Sequence, residues 1–229
     1  MEGTIIANYL LTRLLGRGGM GAVYEAVHLR IGKTAAIKLL HSQVAALPEV
    51  AARFLNEARA VNIIDHPGLV QIFEFGQLPD GTAFIVMELL RGESLARRLS
   101  RGPLPIGDAV RIAQQVALTL AAAHDRRIFH RDLKPGNVML RSEDELALID
   151  FGMAKDAGLA FELTDQGLIF GTPHYMSPEQ GHGQKLDARS DLYSLGVMLY
   201  EMLTGAKPHE GESPIQVAYK HVHEDIPAA

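Results

Sequence analysis

The run His130-Arg131-Asp132-Leu133-Lys134-Pro135-Gly136-Asn137, followed a short way downstream by Asp150-Phe151-Gly152, limits what this chain can fold into more than any other feature. Two short β-favouring stretches, Val138–Leu140 and Leu146–Ile149, flank the acidic turn Ser142–Glu145 between the motifs. The order puts a carboxylate able to accept a proton, a cation and two metal-binding groups on two adjoining loops. Either half alone could be chance; both together, in this order and at this separation, are very hard to explain otherwise.

At 229 residues the chain could form one large domain or two small lobes, and can bury a sizeable core. Tyr9–Leu15, Ala22–Leu29 and Thr34–Leu40 read as strands. Pro48–Ile64 reads as a helix, with Phe54, Ala58 and Val61 at three- and four-residue spacing, stopped by His66-Pro67-Gly68. Val70–Phe75 and Ala83–Leu89 read as an antiparallel pair across the Pro79-Asp80-Gly81 turn. After Gly92 the pattern becomes helical: Ser94–Ser100, Ile106–Arg126, Arg189–Leu203 ending at Thr204-Gly205, and Ser213–His221. The expectation is a two-lobed α+β protein. Residues 1–90 form a lobe with an antiparallel sheet plus one helix, and residues 91–229 a mainly helical lobe.

Composition removes several function classes. The net charge of −5 gives no basic field for nucleic acid. The absence of cysteine excludes disulfides, thiolate metal sites and cysteine nucleophiles. The N-terminus lacks signal-peptide features and no apolar run reaches bilayer length, so a cytoplasmic protein with no membrane segment is expected.

Gly16-Arg17-Gly18-Gly19-Met20-Gly21-Ala22-Val23 fits G-x-G-x-x-G-x-V, whose first six positions a dinucleotide fingerprint shares. In a dinucleotide fold the glycines open a helix; here Val23–Val27 continues as a strand, which puts them at a hairpin tip. Without side chains, Gly16, Gly18 and Gly21 let backbone N–H groups approach phosphate oxygens closely. Lys38, in the strand Ala35-Ala36-Ile37-Lys38, is expected to pair with helical Glu57 and hold its ammonium against the α- and β-phosphates. Asp132 is the candidate catalytic base for a hydroxyl nucleophile, and Lys134 offsets charge on the transferred phosphoryl group. Asn137 and Asp150 supply hard oxygen ligands suited to Mg²⁺, with Mn²⁺ as a substitute.

With these motifs in this order, the chain resembles the protein kinase family. It looks like a kinase of the serine/threonine type and is most similar to the bacterial eukaryotic-like kinases, the resemblance running from about Tyr9 to at least Val222. The resemblance implies ATP as the nucleotide and proteins bearing serine and threonine as substrates; the charge balance already argues against a nucleic-acid partner. It implies that Arg131 receives a phosphate from an activation segment running from Asp150 to Glu179, with Thr164 as the phosphorylated residue. Thr172, in Gly171-Thr172-Pro173-His174-Tyr175-Met176, would bridge Asp132 and Lys134. Asp191 would hold the catalytic-loop backbone from below. Met87 would be the gatekeeper, the Glu88 carbonyl and Leu90 N–H would pair with the adenine edge, and Val23, Ala36 and Met139 would sandwich the ring. Val61, Phe151 and His130 would stack, making His130 structural rather than a base. His221 and His223, two apart and so on different faces of a helix, are read as exposed.

The resemblance also implies C-terminal helices beyond Ser213–His221 and an arginine paired with Glu179. With the sequence ending at Ala229, the expectation is a fragment or a surface recovered by self-association. Two other readings stay open: a catalytically weak kinase-fold binding module, and a kinase for small molecules such as aminoglycosides. The peptide-docking resemblance of Gly171–Glu179 weighs against the latter.

Overall fold

Alternation of side chains along consecutive strands decides the architecture of the N-terminal part. The computed structural model describes residues 1–19, 21–41, 48–141, 145–151 and 173–228, without the side chains of residues 48, 53 and 57. These fall into two units, Met1–Asp65 with Val70–Arg91, and His66–Leu69 with Gly92–Ala229.

The first unit is an antiparallel sheet of six strands: β1 Ile5–Ile6, β2 Tyr9–Arg17, β3 Gly21–His28, β4 Thr34–Leu40, β5 Ile72–Gln77 and β6 Ala83–Met87, in the order β1-β2-β3-β4-β6-β5. Helix α1, Pro48–Asn62, buries Ala51, Phe54, Ala58 and Val61 at helical spacing. One sheet face is the core, with Leu11, Tyr24, Ala26, Ala35, Ile37, Leu39, Phe84 and Val86 packed together. Because successive side chains point to opposite faces, the residues between these form a second face. The register sets Val23 opposite Lys38, Lys38 opposite Ile85, and Ala36 opposite Met87 on that face.

In the second unit, β7 Glu93–Ser94, β8 Val138–Leu140 and β9 Leu146–Leu148 make a three-stranded sheet. Around it are α2 Leu95–Leu99, α3 Ile106–His124, α4 Pro178–Gly181, α5 Ala188–Thr204 and α6 Pro214–His223. Single 3₁₀ turns occur at Pro135–Asn137 and Pro173–Tyr175. The cap residues explain where the helices begin and end. Ser94, Ser177, Asp187 and Ser213 cap N-termini with side-chain oxygens. Gly205 stops α5 in the left-handed conformation at φ 75°. Among the described residues no helix is long and apolar enough to cross a membrane.

The fold is α+β, with the strand-to-helix change that the periodicity predicts. Strands β1 and β7, two residues each, are additions that no period could reveal. His221 is a correction: it is 3% exposed, and only His223 is on the surface. The Tyr193 hydroxyl lies 2.8 Å from His221 Nδ1, and His221 Nε2 donates to the His174 carbonyl at 2.9 Å. The His209 ring packs edge-on at 4.8 Å. Burial first, and then neighbouring His209, push its pKa down to about 4, so it is neutral at pH 7.

Candidate active site

The loop from His130 to Asn137 is held in place chiefly by side chains that lie outside it. Asp191, one turn into α5 and 1% exposed, accepts the His130 N–H and the Arg131 N–H, each at 2.8 Å. It also accepts His124 Nε2–H from the end of α3 at 2.7 Å. From another direction the Gln180 side chain donates to the Arg131 carbonyl at 2.7 Å. The Asp132 N–H turns back to the His130 carbonyl at 2.8 Å, closing a γ-turn about Arg131. Arg131 takes φ 61° there and Asp150 takes φ 58°, a region costly for residues with a side chain. Ala7 and Arg127, outside the motifs, share this conformation at φ 52° and 59°, so Arg131 and Asp150 are two of four such residues among those described.

Within the loop, Lys134 Nζ donates to Asp132 Oδ2 at 2.7 Å, both side chains being about a quarter exposed (27% and 25%). The Asn137 amide donates to the Asp132 carbonyl at 2.8 Å. The Asn137 backbone carbonyl accepts the Ile149 N–H at 3.0 Å, which ties the His130–Asn137 loop to the stretch ending in Asp150. Leu133, 1% exposed, and buried Pro135 anchor the loop in the unit. Asp132, Lys134, Asn137 and Asp150 all lie in the second unit, with Met139 on β8.

His130 cannot act as a base. It is 0% exposed, its Nε2–H donates to the Ile149 carbonyl at 3.1 Å, and its ring packs on Phe151 at 4.6 Å. Burial pushes its pKa down and keeps it neutral, against the weaker pull of Asp191, Asp132 and Asp150.

In the first unit the glycine-rich segment is the tip of the β2–β3 hairpin, with Gly18 N–H bonded to the Gly21 carbonyl at 2.8 Å. A Cβ on Gly21 would stand 2.1 Å from the Leu39 carbonyl oxygen, so only glycine lets β3 approach β4 there. Gly16 and Gly18 have open space where a Cβ would be. Lys38, Val23 and Ala36 share one sheet face, and the Glu88 N–H donates to the Gln71 carbonyl at 2.8 Å just before Leu90. Glu57 lies on α1, with its side chain outside the described residues. Gly152, Thr164, Gly171 and Thr172 also lie outside them.

Motif reading missed two residues that position the loop, Gln180 and His124. Gln180 had a local signal, since Ser177-Pro178-Glu179-Gln180 is a capping-box string and both of its reciprocal bonds are present. Its third bond, to Arg131, has no local signal, and neither does the pairing of His124 with Asp191 67 positions on.

The protein kinase domain pattern matches residues 9–228. The chain is 43% identical over 234 residues to the serine/threonine-protein kinase Pkn3 of Myxococcus xanthus, an alignment covering 98% of this chain and 42% of the relative. It is 39% identical over 229 residues to the serine/threonine-protein kinase PknA of Mycobacterium tuberculosis, covering 98% and 53%. The crystal structure of the Mycobacterium tuberculosis PknI kinase domain superposes with a TM-score of 0.74 at 29% identity, covering 93% of this chain and 80% of that one. The chain spans about half or less of the length of these curated relatives. On this match of sequence pattern and fold, the chain belongs to the protein kinase domain family.

Proposed function

We propose that the chain transfers the γ-phosphoryl group of ATP to serine and threonine hydroxyls of proteins, with Mg²⁺ or Mn²⁺ as the metal. The observation that carries this reading is the Asp132–Lys134–Asn137 constellation on a loop strained at Arg131 and held from outside by Asp191. In this reading residues 1–90 bind the nucleotide, through Gly16, Gly18, Gly21, Val23, Ala36, Lys38, Glu88 and Leu90. Residues 91–229 carry the chemistry and receive the substrate.

The donor set suits a hard divalent ion. Asn137 and Asp150 offer an amide and a carboxylate oxygen, and among the described residues no group of three His, Cys, Asp or Glu could form an all-protein metal cage. That fits a metal which keeps water and phosphate oxygens in its shell. When bound, the ion neutralises charge on the phosphates.

The Asp132 carboxylate orients the hydroxyl and takes its proton as the oxygen–phosphorus bond forms and the bond to the departing ADP oxygen breaks. Lys134, donating to the same carboxylate, keeps a cation beside the transferred group. Glu57 pairs with Lys38, Thr172 bridges Asp132 and Lys134, Met139 lies against the adenine, and phosphate on Thr164 engages Arg131. These four assignments rest on the family resemblance.

Incubating the purified chain with Mg²⁺ and γ-labelled ATP, beside an Asp132→Asn control, tests the reading. Label should enter the wild type and be absent from the control, with Thr164 the first position to map. A folded, ATP-binding wild type that transfers no label overturns it in favour of a binding module.

A further inference from the structure

We propose that Gln180 is a positioning residue for phosphoryl transfer, its side-chain amide fixing the Arg131–Asp132 peptide and hence the Asp132 carboxylate. This inference rests on the reading of Asp132 as the base.

Gln180 is 9% exposed and both ends of its amide are committed. Its Oε1 accepts the Ser177 N–H at 3.0 Å, completing the capping box of α4, while its NH₂ donates to the Arg131 carbonyl at 2.7 Å. A capping box works equally well with glutamate at this position. The Arg131 carbonyl does not: facing an oxygen acceptor, only the amide supplies a donor. The choice of glutamine over glutamate is therefore accounted for by the catalytic loop and not by the helix.

The bond falls where it has leverage. Arg131 is the centre of a γ-turn of the rare, strained hand. Its N–H is held by Asp191 and its C=O by Gln180, so the two side chains fix both ends of the residue that precedes the base. The far end of the strut is itself fixed. The Tyr175 hydroxyl donates to Glu201 at 2.6 Å, Ser194 donates to the Tyr175 carbonyl at 2.6 Å, and Ser190 donates to Glu179, all onto α5.

The test compares Q180E and Q180M with wild type for kcat and KM for ATP, using dephosphorylated casein as acceptor, from pH 5.5 to 8.5. At pH 8 both variants should lose about 10- to 100-fold in kcat, the scale of a small misplacement of a catalytic group, with KM for ATP essentially unchanged. The Q180E activity, taken as a ratio to wild type, should then climb as the pH falls, because a protonated glutamate regains an O–H donor for the Arg131 carbonyl. Q180M should show no recovery. If Q180E does not fold, Q180M with faster amide exchange at Arg131 and Asp132 carries the test. Wild-type kcat in both variants, or equal losses with no pH-dependent recovery of Q180E, would overturn the inference alone. An inactive wild type would overturn the phosphoryl-transfer reading beneath it, and the inference with it.

Discussion

Replacing Asp191 by asparagine changes one atom, and the cost follows from three hydrogen bonds. One carboxylate oxygen accepts both the His130 N–H and His124 Nε2–H, and the other accepts the Arg131 N–H. Asparagine has one acceptor oxygen. In its better orientation that oxygen keeps the pair and the NH₂ faces the Arg131 N–H, donor against donor, with no water to help at 1% exposure. Burying an unsatisfied N–H costs about 1–3 kcal/mol. The two surviving bonds change from charge-assisted to neutral, a further loss of about 1 kcal/mol each. The sum is about 3–5 kcal/mol, which for a chain of this size lowers the melting temperature by about 6–20 °C. Two units need not unfold in one transition, so calorimetry should be paired with amide hydrogen exchange localised to the His130–Asn137 loop. The Arg131 amide should lose protection first. A melting temperature within about 2 °C of wild type, with the Arg131 amide still protected, would refute the assignment of Asp191 as the loop's anchor.

The glycines of the hairpin should divide into two kinds. Gly21→Ala meets the Leu39 carbonyl at 2.1 Å and should destabilise the first unit, whereas Gly18→Ala enters open space and should leave melting unchanged while weakening ATP binding. Titration of nucleotide into both variants, with melting curves, distinguishes them; equal melting temperatures would contradict the close-approach argument. For His221, the folded pKa of about 4 lies below the ordinary 6.5, so the unfolded chain binds more protons in acid. The stability it contributes is complete above about pH 6.5 and is lost as the pH falls towards 4, at no more than about 1.4 kcal/mol per pH unit. Denaturant melts of His221→Gln across that range should show a shallower slope than wild type, and an unchanged slope would refute its buried neutral state. Tyr175→Phe removes a 2.6 Å bond to the Glu201 carboxylate and should cost about 1.5–3 kcal/mol, read by the same melts; a loss below 0.5 kcal/mol, about the floor for any hydrogen bond, would mean the pair is solvated.

What could be read in the sequence was local. The string His130–Asn137 and the Asp150 motif are each contiguous, and the strands β2, β3 and β4 show as short apolar, β-favouring runs separated by turn residues. Strand β7 could not be found this way: Glu93 and Ser94 are polar, and pairing with Leu140 and Met139 alone makes them a strand. His221 misled for a related reason. Its spacing from His223 says that the two lie on different faces of α6, but which face is buried is settled by Tyr193, His209 and His174, from other segments. Gln180 shows the boundary within one residue, since its bonds to Ser177 follow from the S-x-x-Q string while its bond to Arg131 spans 49 positions.

The loop therefore draws its chemistry from a contiguous string and its geometry from dispersed residues, and the two can be separated experimentally. Asp191 and Gln180 hold opposite ends of Arg131, one through its N–H and the other through its C=O. If each restrained the loop independently, the losses in log kcat for D191N and Q180M would add in the double variant. Because a strained γ-turn relaxes once either end is released, the second substitution should find a turn already displaced. The double variant should then lose clearly less than the product of the single losses, a coupling of about 0.5–3 kcal/mol in the cycle. Measuring kcat for the four proteins at pH 8, each shown to be folded by far-UV circular dichroism, decides it. Additive losses within about 0.3 kcal/mol would mean that the two side chains act on separate features, and the single-turn account of the loop would fall.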